Sequence, residues 1–502
     1  MKIAGLWDGH DCSYCVLENG IPLIHAEYER YIREKEPRGD SYKFFKESYN
    51  DDDIDHWVTI EDGFSGFEHS YNVFGHHQSH AANAFFSSNL KESLIVTLDG
   101  GGSDDSKPTA TTVWMGVDNK IHPVMKAGHE FNLGNIWTRV TGQCLGYSVG
   151  HPYGHSPGTV MATACFGDKD VYLNEYNKNE YNFYDNWKNR PEKDEDQARY
   201  NLAATLQYWT EGKIKELLEK CIENFPTVKN LCLSGGVTLN CVATTKIYDW
   251  YDFDNIYITP TPHDGGLVIG AAQYLYHHVL DNPRVKWEDN FTPYLGVKYS
   301  KDSVIKALNN DLRITSYSEG INDDKVLKLL EEQNIVSVFG GSSESGRRAL
   351  GNRSILADPR SNKMKDLINE KVKHRQWFRP FAPSILREEV KNWFEKDIDS
   401  PYMNFAVKFK EEMAKKVPAV VHLDGTGRIQ TVTENDNSWY YNFIKKWNKI
   451  SSVPILLNTS FNDREPIVET PEHAINCFMG TNIDYLYFRD YNILVKRNQI
   501  KS

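Results

Sequence analysis

Short apolar runs that stop at glycine loops constrain the fold of this 502-residue chain more than any other feature. Leu94-Ile95-Val96-Thr97-Leu98 runs into Asp99-Gly100-Gly101-Gly102, and Leu231-Cys232-Leu233 into Ser234-Gly235-Gly236. Lys2–Leu6 runs into Asp8-Gly9-His10-Asp11, and Ile256-Tyr257-Ile258 is followed by Pro260. Runs this short, ended by a breaker, read as buried strands opening into loops. Ser13–Leu17 and Ile21–Ala26 predict two more strands, joined by the hairpin turn Glu18-Asn19-Gly20. Leu202, Leu206, Trp209, Leu217, Leu218 and Cys221 share one face of a long helix. Strands alternating with helices specify an α/β layered domain.

Residues 281–325 are polar and contain Pro283, Pro293 and Gly296, which predicts a boundary near 320. The pattern then restarts with a helix near Asp324–Gln333 and a strand at Ile335–Phe339. The expected domains are therefore 1–320 and 321–502, in line with roughly 150 residues per domain. No apolar run approaches the roughly 18–20 residues that span a bilayer. The start, Met1 to Asp8, turns acidic at once, unlike a signal peptide. These features predict a cytoplasmic protein with no membrane partner. Cys12 and Cys15 form a CxxC inside a β-like run, where structural thiols are expected rather than a redox pair. Lys and Arg number 57 against 69 Asp and Glu, a net −12 that excludes an extended nucleic-acid surface but leaves room for a basic pocket. Asp51-Asp52-Asp53 and Lys188–Arg199 read as solvated surface.

His76 and His80 are four apart in a segment of helical propensity, His76-His77-Gln78-Ser79-His80-Ala81-Ala82. A helix stacks residues at that spacing on one face, where both imidazoles can reach one metal ion. Asp99 ends a predicted strand, and Asp264 lies in His263-Asp264-Gly265-Gly266 before an apolar helix. Two histidines and two aspartates form a nitrogen and oxygen set suited to iron, manganese or zinc. The bland alternative is a pair of surface histidines. The glycine loops let backbone N–H groups approach a phosphate closely. Three such loops after strands occur in actin-like, Hsp70-like and sugar-kinase folds.

On longer segments the chain resembles the O-carbamoyltransferases that act on nodulation factors, cephalosporins and aminoglycosides. The segments are HHQSHAANAF (76–85), LDGGG (98–102), SGGVTLNC (234–241) and PHDGGLVIGAA (262–272). Further on they are ESGRRALGNRSILADPR (344–360), VKHRQWFRPFAPS (372–384), VVHLDGTGRIQTV (420–432) and PILLNTSFN (454–462). The resemblance implies an actin-like (ASKHA) N-terminal domain and a C-terminal α/β domain like the threonylcarbamoyl-adenylate synthase fold. It implies an ATP-dependent O-carbamoyltransferase. Carbamoyl phosphate and ATP would give a carbamoyl-adenylate in the second domain, and the first would pass the carbamoyl group to an acceptor hydroxyl. Mg-ATP would be a substrate, and a divalent metal, Fe(II) or else Mn or Zn, would sit on His76, His80, Asp99 and Asp264. His10 would act as base or acceptor-orienting group. Gly100, Gly101, Gly235, Gly236, Gly265 and Asn240 would face a nucleotide.

Carbamoyl phosphate beside ATP gathers negative charge, which calls for planar, permanent cations. Arg348, Arg379 and Arg428 lie in matching segments. Lys373 and Arg375 resemble a KxR element of the adenylate-forming relative, and Ser460 and Asn462 its SxN element. Asn462-Asp463-Arg464-Glu465-Pro466 is one residue short of the family form, with a Gly missing, and four further positions depart from the pattern. Pro157 and Thr159 stand where EGKVMG is usual, Ser342 replaces the Arg of GRxE, and Arg347 replaces a Pro. These leave the acceptor undefined: a sugar hydroxyl, an antibiotic scaffold, or a nucleotide or nucleobase. A non-catalytic nucleotide- and metal-binding module, or a sugar or acetate kinase, are the readings of other classes. The sequence also leaves a homodimer open.

Overall fold

A computed structural model describes residues 1–49, 53–61, 67, 69–104 and 107–497; Asp51 and Asp52 of the acidic run lie outside the described residues. The chain divides into two compact units, Met1–Trp287 and Glu288–Ser502. That division comes ahead of the expected 320. Gly296 N donates to Ser343 O at 3.0 Å, and Ser318 and Leu494 exchange backbone hydrogen bonds of 2.9 Å, so this stretch folds with the second unit. Its polar, proline-bearing composition marks irregular backbone rather than a linker.

In the first unit β1 (Lys2–Trp7), β2 (Ser13–Glu18) and β3 (Ile21–Glu27) form an antiparallel succession. β4 (His56–Ile60) and β5 (Tyr71–Phe74) extend the other side of β1 in parallel, giving the order β3-β2-β1-β4-β5. Next comes β6 (Glu92–Leu98), followed by a small ribbon of β7 (Ser103–Asp104) and β8 (Lys107–Pro108). β9 (Thr111–Val117) and β10 (Lys120–Lys126) pair antiparallel on one side of β6, and β11 (Asn230–Ser234) and β12 (Asn255–Ile258) parallel on the other. The resulting order, β10-β9-β6-β11-β12, repeats the topology of the first sheet. No repeat in the residues announces it, because each sheet fills its own set of side-chain contacts.

The Leu267–Gln273 helix packs on β1, β2 and β4, and the His76–Phe86 helix packs on β6, β9 and β11. The two helices also pack on each other. Every residue of His76–Phe86 except Gln78 is buried, so this helix is covered all round rather than amphipathic. Phe85, Phe86, Ile95, Trp114 and Cys232 share its core. The helices meet at Gly270, where an added Cβ would lie 1.8 Å from Ser79 O. Ala would raise helix propensity but must push backbone against backbone. Gly270→Ala is expected to destabilise the chain by about 1–3 kcal/mol, read as a lowered urea midpoint; an unchanged midpoint would refute the contact.

Cys12 and Cys15 are buried free thiols, and Cys15 Sγ donates to Val268 O at 3.0 Å. Burial pushes the Cys15 thiol up to about 12, which suits a packing role. The expectation of solvated surface holds for most of Lys188–Arg199, with Ala198 buried and Arg190 packed. The Arg190 guanidinium stands 4.7 Å from the Phe183 ring centre, and a helix begins at Asp196. Aromatic faces cover the cation there, a contact that charge spacing does not reveal.

The second unit is built on one mixed sheet of eight strands. These are β13 (Val336–Phe339), β14 (Arg353–Ala357), β15 (Ala382–Leu386), β16 (Phe405–Lys408), β17 (Thr426–Val432), β18 (Ile455–Ser460), β19 (Tyr485–Phe488) and β20 (Ile493–Lys496). Their order is β16-β17-β15-β18-β14-β13-β19-β20. The helices Asp323–Glu331 and Ser438–Ser451 bury Leu327, Leu330, Phe443, Ile444 and Trp447 against Val336, Val338 and Leu356. Arg428 lies on β17 and Ser460 ends β18, while Lys373, Arg375 and Arg379 lie between the Asn362–Lys371 helix and β15.

Candidate metal centre and anion site

His76 and His80 lie on the same face of their helix, with ring centres 4.8 Å apart. Asp99 follows β6 and Asp264 precedes the Leu267–Gln273 helix, so both carboxylates come from loops next to the packed helix pair. One ligand atom from each of the four residues lies within 4.8 Å of all the others, the one such cluster among the described residues. His80 Nε2 is 3.0 Å from Asp99 Oδ2 and 3.4 Å from Asp264 Oδ1. His76 Nε2 is 3.7 Å from Asp264 Oδ1 and 4.0 Å from Asp99 Oδ2.

Both Nε2 atoms are buried without a hydrogen bond of acceptable geometry. An orphaned ring nitrogen normally costs stability, and two of them facing two carboxylates fit a shared cation. His80 Nδ1 lies 3.2 Å from Ser234 Oγ, an outer contact that turns Nε2 toward the centre. Asp99 is fixed by Gly100 N at 2.5 Å on Oδ1 and Gly236 N at 3.0 Å on Oδ2. Two of the glycine N–H groups expected to face phosphate are thus occupied in orienting this carboxylate. His77, in the same helix, is a different case. Its nitrogens meet Thr97 Oγ1 at 2.8 Å and Thr109 O at 3.0 Å, and burial lowers it to about 3.

His10 reaches the same centre from the β1–β2 turn. Nε2 is 2.9 Å from Asp264 Oδ2 and Nδ1 is 3.1 Å from Asp11 Oδ2. The Asp264 charge is the main cause that raises His10 to about 11, despite opposing burial. With a carboxylate on each nitrogen, the ring here is a donor that braces Asp264. Trp7 Nε1 donates to His10 O at 2.9 Å and holds the turn.

Behind Asp264 is a charged cluster that residue spacing did not reveal. His263 Nε2 is 3.1 Å from Glu27 Oε1, and Arg30 Nε is 3.3 Å from Glu27 Oε2. Gly265 O accepts from Ser13 Oγ at 3.0 Å and faces His25 Nε2 at 2.7 Å, so Gly265 belongs to this support. Asn240 caps the Cys241–Trp250 helix through Ala243 N at 3.1 Å, and its amide donates to Gln207 Oε1 at 2.9 Å. Gly101 takes a φ of 159°, and Gly235, at φ 96°, sits where a Cβ would meet Leu98 O at 2.2 Å.

In the second unit, Lys373 draws the KxR and SxN elements together. Its Nζ donates to Ser460 O at 2.5 Å, and to Asn462 O and Oδ1 at 2.7 Å each. Ser460 Oγ lies 3.3 Å away and donates to Asn462 Oδ1 at 2.7 Å. Residues 87 and 89 positions apart thus share one ammonium. Arg375 Nε donates to Asn369 Oδ1 at 2.8 Å, with the guanidinium 4.8 Å from the Phe381 ring centre. Burial, then Arg379 and Arg428, lower Arg375 well below the usual guanidinium range; burial and Arg428 lower Arg379. Mutually repelling guanidiniums in a desolvated place are a receptacle for a polyanion.

Arg347 and Arg348 lie on the loop between β13 and β14. Glu344 closes that loop. Its Oε1 accepts from Leu350 N and Asn352 N at 2.7 Å and from Arg353 N at 3.2 Å. Ser342, at the departed Arg position, contributes only its carbonyl, to Asn352 Nδ2 at 2.7 Å. Glu344→Ala would strand three backbone donors. It is expected to cost about 3 kcal/mol or more in urea unfolding, and a loss below 1 kcal/mol would contradict this role.

Comparisons with known proteins bear on both halves. The "Carbamoyltransferase N-terminus" family matches residues 65–273 and the "Carbamoyltransferase C-terminus" family matches residues 327–496. Nodulation protein NolO of Bradyrhizobium diazoefficiens is 34% identical over 439 residues, 82% of this chain and 77% of that protein. An uncharacterised protein of Synechocystis is 33% identical over 474 residues, 84% of this chain and 76% of that one. Nodulation protein U of Sinorhizobium fredii is 31% identical over 268 residues, 53% of this chain and 46% of that protein. Among solved structures, full-length HypF in its phosphate- and nucleotide-bound form aligns with a TM-score of 0.38 and 13% identity, over 56% of this chain and 46% of that chain. Among the described residues no helix is long and apolar enough to cross a membrane.

Proposed function

This chain belongs to the carbamoyltransferase family, and from that premise we propose that it is an ATP-dependent O-carbamoyltransferase acting in two steps. In the first, water releases phosphate from carbamoyl phosphate, and an oxygen of the resulting carbamate attacks the α-phosphorus of ATP, giving a carbamoyl-adenylate as pyrophosphate leaves. In the second, an acceptor hydroxyl attacks the carbamoyl carbon and AMP leaves.

The observation that carries this reading is the gathering of Ser460 and Asn462 on the Lys373 ammonium, two residues along the chain from Arg375, whose charge is felt together with those of Arg379 and Arg428. Arg375 and Arg379 hold phosphate oxygens and neutralise the charge of two anionic substrates. Lys373 fixes the Ser460–Asn462 turn and with it the direction of the Ser460 and Asn462 side chains. Displacement at the α-phosphorus then needs little more than alignment and charge stabilisation.

In the first unit, His76, His80, Asp99 and Asp264 would hold a divalent ion, Fe(II) or alternatively Mn or Zn. When bound, such an ion supplies Lewis-acid stabilisation of a developing oxyanion. The protein's own part is orientation. Gly100 N and Gly236 N aim Asp99, Ser234 aims His80, and His10 braces Asp264 while exposing half of its ring to an incoming acceptor. The duplicated sheet and the helix pair between the sheets support an actin-like reading of this unit. Carbamoyl-phosphate-dependent release of pyrophosphate from ATP tests the proposal. A kinase or an inert module of this fold gives none.

A further inference from the structure

We propose that Glu61 is a positioning residue of the metal centre, holding the His76 imidazole from its Nδ1 side so that Nε2 faces Asp99 and Asp264. This rests on the metal-centre reading of His76, His80, Asp99 and Asp264 and deepens it. β4 runs through the buried residues Trp57, Val58, Thr59 and Ile60 and ends at the Glu61 carboxylate. An acid at the end of a buried strand needs partners, and Glu61 finds them on two other elements. Its Oε1 accepts from Ser103 N at 2.8 Å and lies 3.7 Å from His76 Nδ1. The side chain is 25% exposed. Its backbone takes a φ of 61°, uncommon for a residue with a side chain, and its N–H is held by Phe74 O of β5 at 2.8 Å.

The ring that Glu61 faces is enclosed by the loop after β6. Thr109 N donates to Gly102 O at 2.9 Å and keeps this loop against His76, where a Cβ on Gly102 would overlap the imidazole. The Trp7 ring meets His76 edge-on, with centres 6.4 Å apart. Asp104 accepts from Gln78 N at 3.2 Å, capping the His76–Phe86 helix where Gly75 has no side chain to do so. One loop thus supplies a ligand at its start, covers a second ligand in its middle and caps the ligand helix at its end. Glu61 ties that loop to the ring through Ser103.

An imidazole binds an ion through the lone pair of one nitrogen and carries its proton on the other. A His76 that ligates through Nε2 carries the proton on Nδ1, on the side of Glu61. A carboxylate there favours this tautomer, fixes the ring and strengthens Nε2 as a donor. At 3.7 Å the contact is longer than a hydrogen bond, so it acts through charge. Glu61 stands outside the four converging ligand residues. His80 is backed differently, by the neutral Ser234 hydroxyl at 3.2 Å. The two imidazoles are therefore unequal, and the hold of His76 on an ion depends on a carboxylate.

Calorimetric titration of the full chain with Mn(II) and Zn(II), and the visible spectrum of the Co(II)-loaded protein, test the assignment. Glu61→Gln keeps an oxygen to accept from Ser103 N and removes the charge. It is expected to weaken ion binding about tenfold, with an unchanged urea midpoint for the chelated protein and an altered Co(II) band at saturating ion. Glu61→Ala removes both contacts and is expected to weaken binding about a hundredfold. Wild-type affinity and spectrum in Glu61→Gln, with loss only in Glu61→Ala, would mark a mere loop tether and overturn the proposal. Wild-type affinity in both variants overturns it as well. Absence of Mn(II), Zn(II) and Co(II) uptake by the wild type overturns the metal-centre reading itself, and this proposal falls with it.

Discussion

Lys373→Met is expected to abolish carbamoyl-phosphate-dependent pyrophosphate release, by about a thousandfold or more. Lys373 is 3% exposed, and its ammonium donates to the carbonyls of Ser460 and Asn462 and to Asn462 Oδ1. Met keeps the length of the stem and removes the charge. The turn then loses its common donor, and Ser460 and Asn462 are no longer held in one arrangement. Because Lys373 also holds the turn together, a second variant separates structure from chemistry. Arg375→Lys keeps a cation but loses the Nε bond to Asn369 and the planar fork that grips a phosphate in two places. Its pyrophosphate release should fall about a hundredfold with an unchanged circular dichroism spectrum. Release within threefold of wild type in both variants would show that ATP is not activated at this place.

Much of this architecture is legible in the residues alone. Lys2–Trp7, Ser13–Glu18 and Ile21–Glu27 form the expected hairpin strands, because Asn19-Gly20 and short apolar runs are local signals. The His76–His80 spacing also works locally, since helical periodicity alone stacks the two rings. The two α/β units follow from the strand and helix alternation. What escaped notice depends on distant contacts. Glu27 supports Asp264 only because β3 lies against the 262–266 loop, 236 residues away in sequence from Glu27 to His263. Glu344 looks like any surface acid until its loop folds back over it. The glycines of 100 and 236 carry the residue type expected of a phosphate loop, yet their N–H groups point to Asp99. Glycine in a sequence marks that a backbone can approach something closely, and only the fold says what. The topological repeat of the two sheets was hidden for a related reason. Topology is set by pairing and crossover, and different side chains satisfy the same pairing.

His80→Gln, or removal of divalent ions by a chelator, is expected to stop carbamoyl transfer by about a thousandfold while pyrophosphate release stays within threefold of wild type. The argument begins with burial. His80 is fully buried, its Nδ1 is taken by Ser234, and its Nε2 has only carboxylate oxygens before it. Gln fills most of the volume and keeps a polar end, but it cannot place a ring nitrogen at the meeting point of Asp99 and Asp264. The two carboxylates, each destabilised by the other's charge, then lack the group that reconciles them. Divalent-ion uptake, measured by calorimetry with Mn(II) and Zn(II) and by metal analysis after Fe(II) loading, should fall sharply in His80→Gln and remain in His77→Gln. His77 is the internal control, because its two nitrogens are already bound to Thr97 and Thr109 and it faces away from the aspartates. Should His80→Gln keep full ion uptake and full transfer, the tetrad would be a buried polar knot of the helix pair rather than a metal centre. Should it lose pyrophosphate release as deeply as transfer, the assignment of the two steps to separate residues would fail.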